Sequence, residues 1–281
     1  MIIWIASYPK SGNTWIRFFI LSLLFGNKLK LNLDHLKTIT QYPKKSQFNN
    51  LLKDYQNFDE VTRNWIASQN IINLDKKIRF LKTHNMMCCF GNNCFTNSKN
   101  TLGSIYIVRD PRNVITSVKN HFSFKNYDEA KNFIFNEKQA LISTKYSKKE
   151  DYMLETIIGS WKTHYISWKN SKKNYLLIKY ENLLNNSKSE YRKISKFISN
   201  IFKTDFSDEQ IDKAIADSSF NNLKKMEDAV GFDESTTNKI TGKKNKFFNL
   251  GPKNDWKKIL DKEISDEISY KFETEMKELG Y

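Results

Sequence analysis

Hydrophobic residues form short β-branched runs that alternate with longer stretches in which apolar residues recur at helical spacing. The short runs have the composition of buried strands, and the longer stretches predict helices. Strands that alternate with helices form parallel sheets, so we expect an α/β fold with a central parallel sheet flanked by helices on both faces. The predicted strands are residues 2–6, 77–82, 104–108 and 175–179, and the predicted helices are residues 13–25, 51–58, 59–72, 112–122, 127–145, 152–169, 188–202, 208–216 and 261–279.

The whole chain, residues 1–281, is predicted to form a single domain, because one large α/β unit can bury a core of this size. Residues 27–73 are polar and mixed in character, and we expect them to form a helical insertion beside an acceptor pocket, outside the core. Residues 227–245 are polar and show no regular period. Loops of that length inside a domain are usually functional, so this segment is predicted to be a lid.

The net charge of +15 makes this a basic protein and indicates an acidic partner. Nucleotides, nucleic acids, lipid surfaces and sulfated products all satisfy that condition. Lysine and asparagine are spread over the entire chain, so charges near motifs carry more weight than the total. No apolar stretch approaches the ~20 residues of a membrane-spanning helix, and we expect no membrane span. The N-terminus also lacks the basic region and cleavage site of a signal peptide.

The three cysteines, Cys88, Cys89 and Cys94, lie within one short segment. An odd, clustered set without a secretory signal argues against a disulfide framework and predicts packed thiols in a reducing cytoplasm. A zinc site needs about four ligands, and only His84 lies close to this segment, so we predict no metal site.

Residues 7–15 read Ser-Tyr-Pro-Lys-Ser-Gly-Asn-Thr-Trp and join the first predicted strand to the first predicted helix. At such a junction the unpaired backbone N–H groups of the helix point to one place, where they bind a phosphate or sulfate. Lys10 adds a positive charge beside them. From the local pattern alone, an ordinary strand–turn–helix with a surface lysine remains open, because short Gly-Lys motifs are common.

Polar side chains follow the ends of the other predicted strands. His84, Arg109 and Tyr180 occupy these positions, and ligands of parallel sheets bind beyond the carboxyl ends of the strands. The loop lacks the second glycine and the Ser or Thr after lysine that nucleoside triphosphatases use, and no strand ends in a magnesium-binding aspartate of the expected kind. The pattern therefore predicts a phosphate-binding enzyme whose transferred group is less charged than phosphoryl, such as sulfuryl.

Four motifs in the same order resemble those of sulfotransferases that use 3′-phosphoadenosine 5′-phosphosulfate (PAPS). They are residues 8–15, Lys82-Thr83-His84, residues 107–114 with Ser117, and residues 251–257, so that the resemblance extends from residue 1 to about residue 260. The resemblance implies a P-loop-like phosphosulfate loop after the first strand and in-line transfer of the sulfuryl group to a hydroxyl or amine. The product nucleotide would be 3′-phosphoadenosine 5′-phosphate (PAP), and no metal would be needed.

The same resemblance assigns roles to individual residues. His84 would be the general base, Lys10 would stabilise the leaving oxygen, and Lys82 would stabilise the sulfuryl oxygens. Where the family has Arg-Lys-Gly, this chain has Asn249-Leu250-Gly251, so either a nearby lysine substitutes for the missing basic pair, or the cofactor affinity is reduced, or the nucleotide preference differs. The implied nucleotide-binding residues are Lys10, Ser11, Gly12, Asn13, Thr14, Trp15, Arg109, Ser117, Tyr180, Phe220, Asn249, Leu250 and Gly251.

The expected partner is a small-molecule or glycan acceptor in the cytoplasm, and the sequence leaves the oligomeric state open. A P-loop nucleotide kinase or another nucleotide-binding α/β protein is the alternative. A nucleic-acid-binding protein is a third interpretation that rests on the charge alone. No basic-aromatic recognition motif supports it, so we predict no nucleic-acid partner.

Overall fold

The central feature of the computed structural model is a four-stranded sheet. The structure describes residues 1–142, 150–171, 174–185, 187–238 and 241–281. In chain order its strands are β1 (Ile2–Ser7), β2 (Arg79–Thr83), β3 (Cys89–Phe90), β4 (Asn93–Cys94), β5 (Thr101–Val108), β6 (Ala140–Leu141), β7 (Thr156–Ile157) and β8 (Tyr175–Lys179).

The sheet has the strand order β2-β1-β5-β8. β1 and β2 are parallel, with residues 2–6 of β1 paired to residues 79–83 of β2. Every residue of β1 is buried, which explains why its sequence is a continuous hydrophobic run and not an alternating one. The predicted α/β fold with a central parallel sheet flanked by helices is confirmed. All four predicted strands are present, although β5 begins three residues earlier than expected.

Several predicted helices are confirmed to within one residue, namely residues 13–25, 112–122, 188–202 and 208–216. The helix at Pro111–Phe122, α4, begins where the sequence predicts to within one residue, because Asp110 caps it by accepting a hydrogen bond from the Arg112 N–H and Pro111 lies in the first turn. The helices are α1 (Asn13–Phe25), α2 (Phe58–Arg63), α3 (Trp65–Ile72), α4 (Pro111–Phe122), α5 (Tyr127–Phe135), α6 (Trp161–Lys169), α7 (Tyr180–Asn185), α8 (Ser187–Phe202), α9 (Asp208–Asp217), α10 (Phe220–Val230), α11 (Trp256–Ile259), α12 (Lys262–Lys271) and α13 (Glu273–Leu279).

The two helices predicted between residues 51 and 72 are wrong in detail. Residues 51–57 form turns, because the Glu60 carboxylate accepts hydrogen bonds from the backbone N–H groups of Lys53 and Asp54. Asn57 caps α2, and its side chain accepts a hydrogen bond from the Glu60 N–H, so the helix begins before residue 59. Asn64 then ends α2 and precedes α3, so the predicted helix of residues 59–72 is two short helices.

Three other predicted helices are longer than the observed ones. α5 ends at Phe135, and the last predicted residues, 143–145, lie outside the described residues. α6 begins only at Trp161, because residues 156–157 form β7 and pair with β6. The predicted helix of residues 261–279 is divided into α12 and α13 at Phe272.

Helix α10 was not predicted, and its last residues, 227–230, belong to the segment predicted to be an irregular lid. Glu227 is buried in this helix, and its carboxylate accepts hydrogen bonds from the backbone N–H groups of Phe247 and Phe248. These two hydrogen bonds satisfy the buried carboxylate at the end of a polar helix. Residues 239–240 of the predicted lid lie outside the described residues.

The described residues divide into two compact units. The first unit comprises Met1–Tyr8, Ile39–Tyr106 and Phe135–Leu177, and the second comprises Pro9–Thr38, Ile107–Ile134 and Ile178–Tyr281. No helix within the described ranges is both long enough and apolar enough to cross a membrane.

Aromatic side chains form the core of the first unit. The Trp4 ring packs against Tyr42 and Phe95, with ring centroids 5.4 and 5.1 Å apart, and Trp65 also packs on Phe95. Tyr42 and Trp65 are fully buried. Residues 39–73 therefore contribute to the core, and the prediction that this stretch lies outside it is wrong at these positions.

The cysteine segment differs from the prediction. Cys89 and Cys94 are Cα partners in the β3–β4 hairpin and form a disulfide, while Cys88 is a free thiol. The prediction of three packed thiols is therefore wrong, since a tight turn places two of them directly opposite each other. Among the residues that the structure describes, no cluster of three or more His, Cys, Asp or Glu side chains could hold a metal ion.

Candidate functional site

The loop between β1 and α1 has a backbone that only glycine can supply at one position. Gly12 has a φ of 107° and precedes the first residue of α1. A Cβ added there would lie 2.7 Å from the Tyr180 ring and 3.7 Å from the Ile107 side chain. Glycine is thus required both by the left-handed backbone and by the close approach of Tyr180.

The start of α1 has the properties of an anion site. Its first turn contains no acidic residue, so the positive end of the helix is not neutralised within the helix itself. Asn13 and Thr14 are buried there. The hydroxyl of Ser11 is buried and has no hydrogen-bond partner among the described residues. A buried hydroxyl without a partner beside a helix amino end fits a phosphate or sulfate oxygen.

Lys10, the cation of this loop, lies against an aromatic ring. Its Nζ is 3.6 Å from the centroid of the Phe247 ring, and its backbone φ of 66° is in the left-handed region. A cation over a ring face is stabilised by the quadrupole of the ring. Phe247 lies two residues after the end of the predicted lid, and its contact with the loop was not predicted.

Glu234, within the predicted lid, contacts the first turns of α1. Its carboxylate lies 2.6 Å from Nη1 of the buried Arg17 and accepts a hydrogen bond of 3.4 Å from the Thr14 hydroxyl. The other side of the Arg17 guanidinium donates to the backbone oxygen of Leu36 at 2.7 Å. A carboxylate therefore lies next to Thr14, which was predicted to bind the 5′-phosphate.

Arg109 connects the loop to helix α4. Its guanidinium lies 4.0 Å from the centroid of the Tyr180 ring, and Nη1 donates to the Lys10 backbone oxygen at 3.2 Å and to the Ser117 hydroxyl at 3.3 Å. Arg109 is buried. Four of the predicted nucleotide-binding residues thus lie together, namely Lys10, Arg109, Ser117 and Tyr180. Their contacts hold the planar guanidinium in one orientation.

Asn254 hydrogen-bonds Ser117 and two neighbouring residues of α4. Its amide nitrogen donates to the Ser117 hydroxyl at 3.3 Å and to the Asn113 backbone oxygen at 3.0 Å, while its amide oxygen accepts from the Thr116 hydroxyl at 2.7 Å. No role was predicted for Asn254, which lies within the motif of residues 251–257. Its contacts connect two segments far apart in the chain, so the sequence pattern could not reveal them.

Phe220 and Gly251 also lie close together. A Cβ at Gly251 would come within 2.2 Å of the Phe220 ring, and the φ of 53° there is again left-handed. Asn249 and Leu250, which replace the expected basic pair, are exposed. Trp15, the other aromatic residue predicted at the nucleotide site, packs edge-on against Tyr180 with ring centroids 5.5 Å apart.

In the first unit, His84 follows β2 and has a defined tautomer. Its Nδ1 lies 2.7 Å from the Ser7 backbone oxygen, and a carbonyl oxygen can only accept, so Nδ1 carries the proton. The Ser7 hydroxyl is 3.4 Å from the same nitrogen. In this tautomer Nε2 has the lone pair that a general base needs.

His164, to which the sequence assigns no catalytic role, is fully buried and contacts the backbone of His84. Its Nε2 donates to the His84 backbone oxygen at 3.0 Å, and its Nδ1 lies 2.8 Å from the Tyr106 hydroxyl. Burial lowers the pKa of His164 to about 3, so its ring is neutral near neutral pH. His164 therefore fixes the backbone at His84.

Lys82, the third predicted catalytic residue, lies in β2 two positions before His84 and is buried. Its backbone N–H donates to the Thr40 oxygen at 2.9 Å, and its oxygen accepts from Tyr42 N–H at 2.8 Å. His84 is the first residue after β2, which ends at Thr83. Lys82 and His84 thus belong to the first unit, and the predicted nucleotide-binding residues belong to the second.

Two curated sulfotransferases are similar to the chain over almost all its length. An amine sulfotransferase of Oryctolagus cuniculus is 24% identical over 290 residues, covering 98% of this chain and 81% of that protein. Sulfotransferase 1B1 of Canis lupus familiaris is 25% identical over 278 residues, covering 97% of this chain and 82% of that protein.

Solved structures share the fold. Retinol dehydratase, solved in complex with androsterone and the inactive cofactor PAP, aligns with a TM-score of 0.60 and 17% identity over 98% of this chain and 80% of that one. Mouse sulfotransferase SULT7A1, complexed with PAP, aligns with a TM-score of 0.58 and 19% identity over 98% of this chain and 84% of that one. A family model described as the sulfotransferase domain matches residues 2–280. The chain therefore belongs to the sulfotransferase domain family, and it is a sulfotransferase.

Proposed function

We propose that the protein transfers a sulfuryl group from PAPS to a hydroxyl or amine of a small-molecule acceptor, with His84 as the general base. The observation that carries the proposal is the position of Arg109, which joins the loop of residues 8–15 to Ser117 on α4. This arrangement offers two anion-binding groups side by side, as a nucleotide with separate 5′ and 3′ phosphates requires.

The residues of the second unit fit such a nucleotide. The buried Ser11 hydroxyl and the first turn of α1 would bind the 5′-phosphosulfate, and Arg109 with Ser117 would bind the 3′-phosphate. The ring of Phe220, close to Gly251, offers an aromatic surface for the adenine. Because Asn249 and Leu250 are uncharged, Arg109 would supply the planar cation at the 3′-phosphate.

The proposed transfer is a single displacement at sulfur. The acceptor oxygen or nitrogen forms a bond to sulfur as the bond between sulfur and the 5′-phosphate oxygen breaks, and the acceptor proton moves to Nε2 of His84. Lys10 stabilises the negative charge that develops on the departing phosphate oxygen, and Lys82 stabilises the sulfuryl oxygens. Ser7, whose carbonyl oxygen orients His84, is separated from Lys10 by only two residues of sequence.

The acceptor class rests on the relatives. One curated relative is an amine sulfotransferase, and retinol dehydratase has been solved with androsterone and with retinol. These names favour a small organic amine or alcohol. Pools of such amines and alcohols, assayed with PAPS and mass-spectrometric detection, would identify the acceptor of this protein.

Thermal unfolding tests the proposed nucleotide. A ligand that binds the native state stabilises it by mass action, and PAP at about 100 times its dissociation constant would add ~2.7 kcal/mol, or roughly 5–10 °C in melting temperature for a chain of this size. We expect this rise with PAP and none with ATP and Mg²⁺. The reverse result would contradict the proposal and favour a nucleotide kinase.

We also propose that residues 227–245 act as a lid over the bound nucleotide. The Glu234 carboxylate hydrogen-bonds the Thr14 hydroxyl, where the 5′-phosphosulfate would bind, so the two anions would repel each other. Nucleotide binding would then require Glu234 to move away from Thr14. Such movement is the function that distinguishes a lid from a fixed loop.

The variant Glu234→Gln is expected to bind PAP more tightly, by about fivefold, because it removes a like charge worth ~1 kcal/mol in repulsion. Glutamine still accepts the hydrogen bond from Arg17, but the buried guanidinium loses its carboxylate partner, so urea unfolding of the variant is measured alongside PAP binding. Isothermal titration would measure the affinity, with Glu209→Gln as the control at an exposed capping turn of α9. Weaker PAP binding by Glu234→Gln would show that the carboxylate supports the site and would contradict the lid proposal.

A further inference from the structure

One buried carboxylate connects the last residue of this sequence to the backbone beside Arg109. The Tyr281 hydroxyl donates to Oε2 of Glu181 at 2.9 Å, and the Asp110 N–H donates to Oε1 of the same side chain at 3.0 Å. Asp110 directly follows Arg109. Glu181 directly follows Tyr180, whose ring faces the Arg109 guanidinium at 4.0 Å. Glu181 therefore accepts a hydrogen bond from the backbone next to Arg109 and is itself the residue next to Tyr180, the stacking partner of Arg109.

Tyr281 is itself firmly placed. Its backbone N–H donates to the Met276 oxygen at 2.9 Å, and Lys179 Nζ lies 4.6 Å from the centroid of its ring. The same Lys179 Nζ donates to the backbone oxygen of Leu279. Burial, together with the neighbouring Glu181 carboxylate, holds the pKa of Tyr281 well above its ordinary value. The hydroxyl therefore keeps its proton and acts as a donor to Glu181.

The Glu181 carboxyl depends on these donors. Burial raises the pKa of Glu181, whereas the N–H of Asp110 and the hydroxyl of Tyr281 favour the charged form. Removing the Tyr281 hydroxyl takes one hydrogen bond from a buried acceptor. The carboxylate would then shift toward its remaining donors, among which is the backbone N–H next to Arg109.

We propose that Tyr281 is a positioning residue for Arg109, acting through Glu181 and Asp110 so that the guanidinium meets the 3′-phosphate of the nucleotide. The inference rests on the proposed function, because it assigns the 3′-phosphate to Arg109. The planar guanidinium of arginine binds phosphate well only over a narrow range of orientations. Small backbone shifts at Asp110 would therefore reorient Arg109 and weaken its contacts with the phosphate. Tyr281 does not touch the nucleotide in this arrangement.

The test compares two nucleotides that differ only in the 3′-phosphate, PAP and adenosine 5′-phosphate. In Tyr281→Phe, which keeps the ring over Lys179, PAP affinity is expected to fall roughly threefold to tenfold while the affinity for adenosine 5′-phosphate stays the same. Tyr270→Phe is the matched control, because Tyr270 is 85% exposed and lies in α12. Its two affinities are expected to equal those of the unmodified protein.

A double-mutant cycle identifies the route of the effect. In an Arg109→Lys background the planar fork is absent, so adding Tyr281→Phe is expected to change PAP affinity by less than twofold. If the two substitutions instead act additively, Tyr281 does not work through Arg109 and the inference is overturned.

A purely structural role for Tyr281 gives different results. If Tyr281→Phe weakens PAP and adenosine 5′-phosphate by the same factor, or changes neither, the inference is overturned while the proposed function stands. If the unmodified protein does not distinguish PAP from adenosine 5′-phosphate, the assignment of the 3′-phosphate to Arg109 fails, and both proposals fail with it.

Discussion

Replacing His84 with alanine is expected to lower the rate of sulfuryl transfer about 10²- to 10⁴-fold, the usual contribution of a general base. The reason is the tautomer fixed by the Ser7 carbonyl oxygen, which leaves Nε2 to accept the acceptor proton. PAP affinity is expected to stay unchanged, because PAP lacks the sulfuryl group and His84 is not among the proposed nucleotide-binding residues. Single-turnover transfer from PAPS and calorimetric titration with PAP would measure the two quantities separately.

The control for this variant is His35→Ala. The His35 ring hydrogen-bonds locally to Asn32 within a short 3₁₀ segment, so its removal is expected to leave both transfer and PAP binding as they were. Loss of PAP binding by His84→Ala with normal turnover of the remaining complex would refute the assignment of His84 as the base.

The variant Gly12→Ala is expected to lower the free energy of unfolding by about 2–5 kcal/mol and to weaken PAP binding more than tenfold. Part of the lost stability comes from the strain of an alanine at a φ of 107°, and part comes from the clash of its Cβ, which would lie 2.7 Å from the Tyr180 ring. Relief of that contact would move Tyr180 and the Arg109 guanidinium stacked on it. Urea unfolding and titration with PAP measure the two effects.

Gly91→Ala provides the comparison. Gly91 also has a left-handed backbone, with a φ of 57°, but nothing lies within 4 Å of an added Cβ. Gly91→Ala is expected to lower the free energy of unfolding by ~1 kcal/mol, the cost of placing an alanine in a left-handed backbone conformation. Equal losses for the two variants would mean that the contact with Tyr180 has no energetic consequence.

The elements predicted well from sequence are those whose signals are local. Residues 2–6 and 104–108 of the central sheet are short runs rich in β-branched and aromatic residues, and Asp110-Pro111 marks the start of α4. The pairing of Arg109 with Ser117 was implied by the resemblance to sulfotransferases, and both residues lie on one strand–helix junction, where they form a hydrogen bond. Gly12 was recognisable from sequence as part of an anion-binding loop.

The features that the sequence did not reveal depend on residues far apart in the chain. The contact of Glu234 with Arg17 joins positions 217 residues apart, and that of Asn254 with Thr116 joins positions 138 apart. Residues 227–230 of α10 were predicted to be irregular because they are polar, and the N–H groups that satisfy Glu227 belong to Phe247 and Phe248, 20 and 21 residues further along. Such partners are set by tertiary structure, which overrides local propensity.

Whether the Cys89–Cys94 disulfide of the β3–β4 hairpin is formed depends on the redox conditions under which the protein is produced and purified. Phe90, inside the loop that Cys89 and Cys94 close, packs against Phe58 and Trp65, with ring centroids 5.1 and 6.1 Å apart. In a glutathione-reduced compartment these two sulfurs would be thiols, whereas an oxidising one preserves the bond. Intact-mass measurement after rapid alkylation of freshly lysed cells would therefore report the compartment in which the chain resides, independently of any assay of its activity.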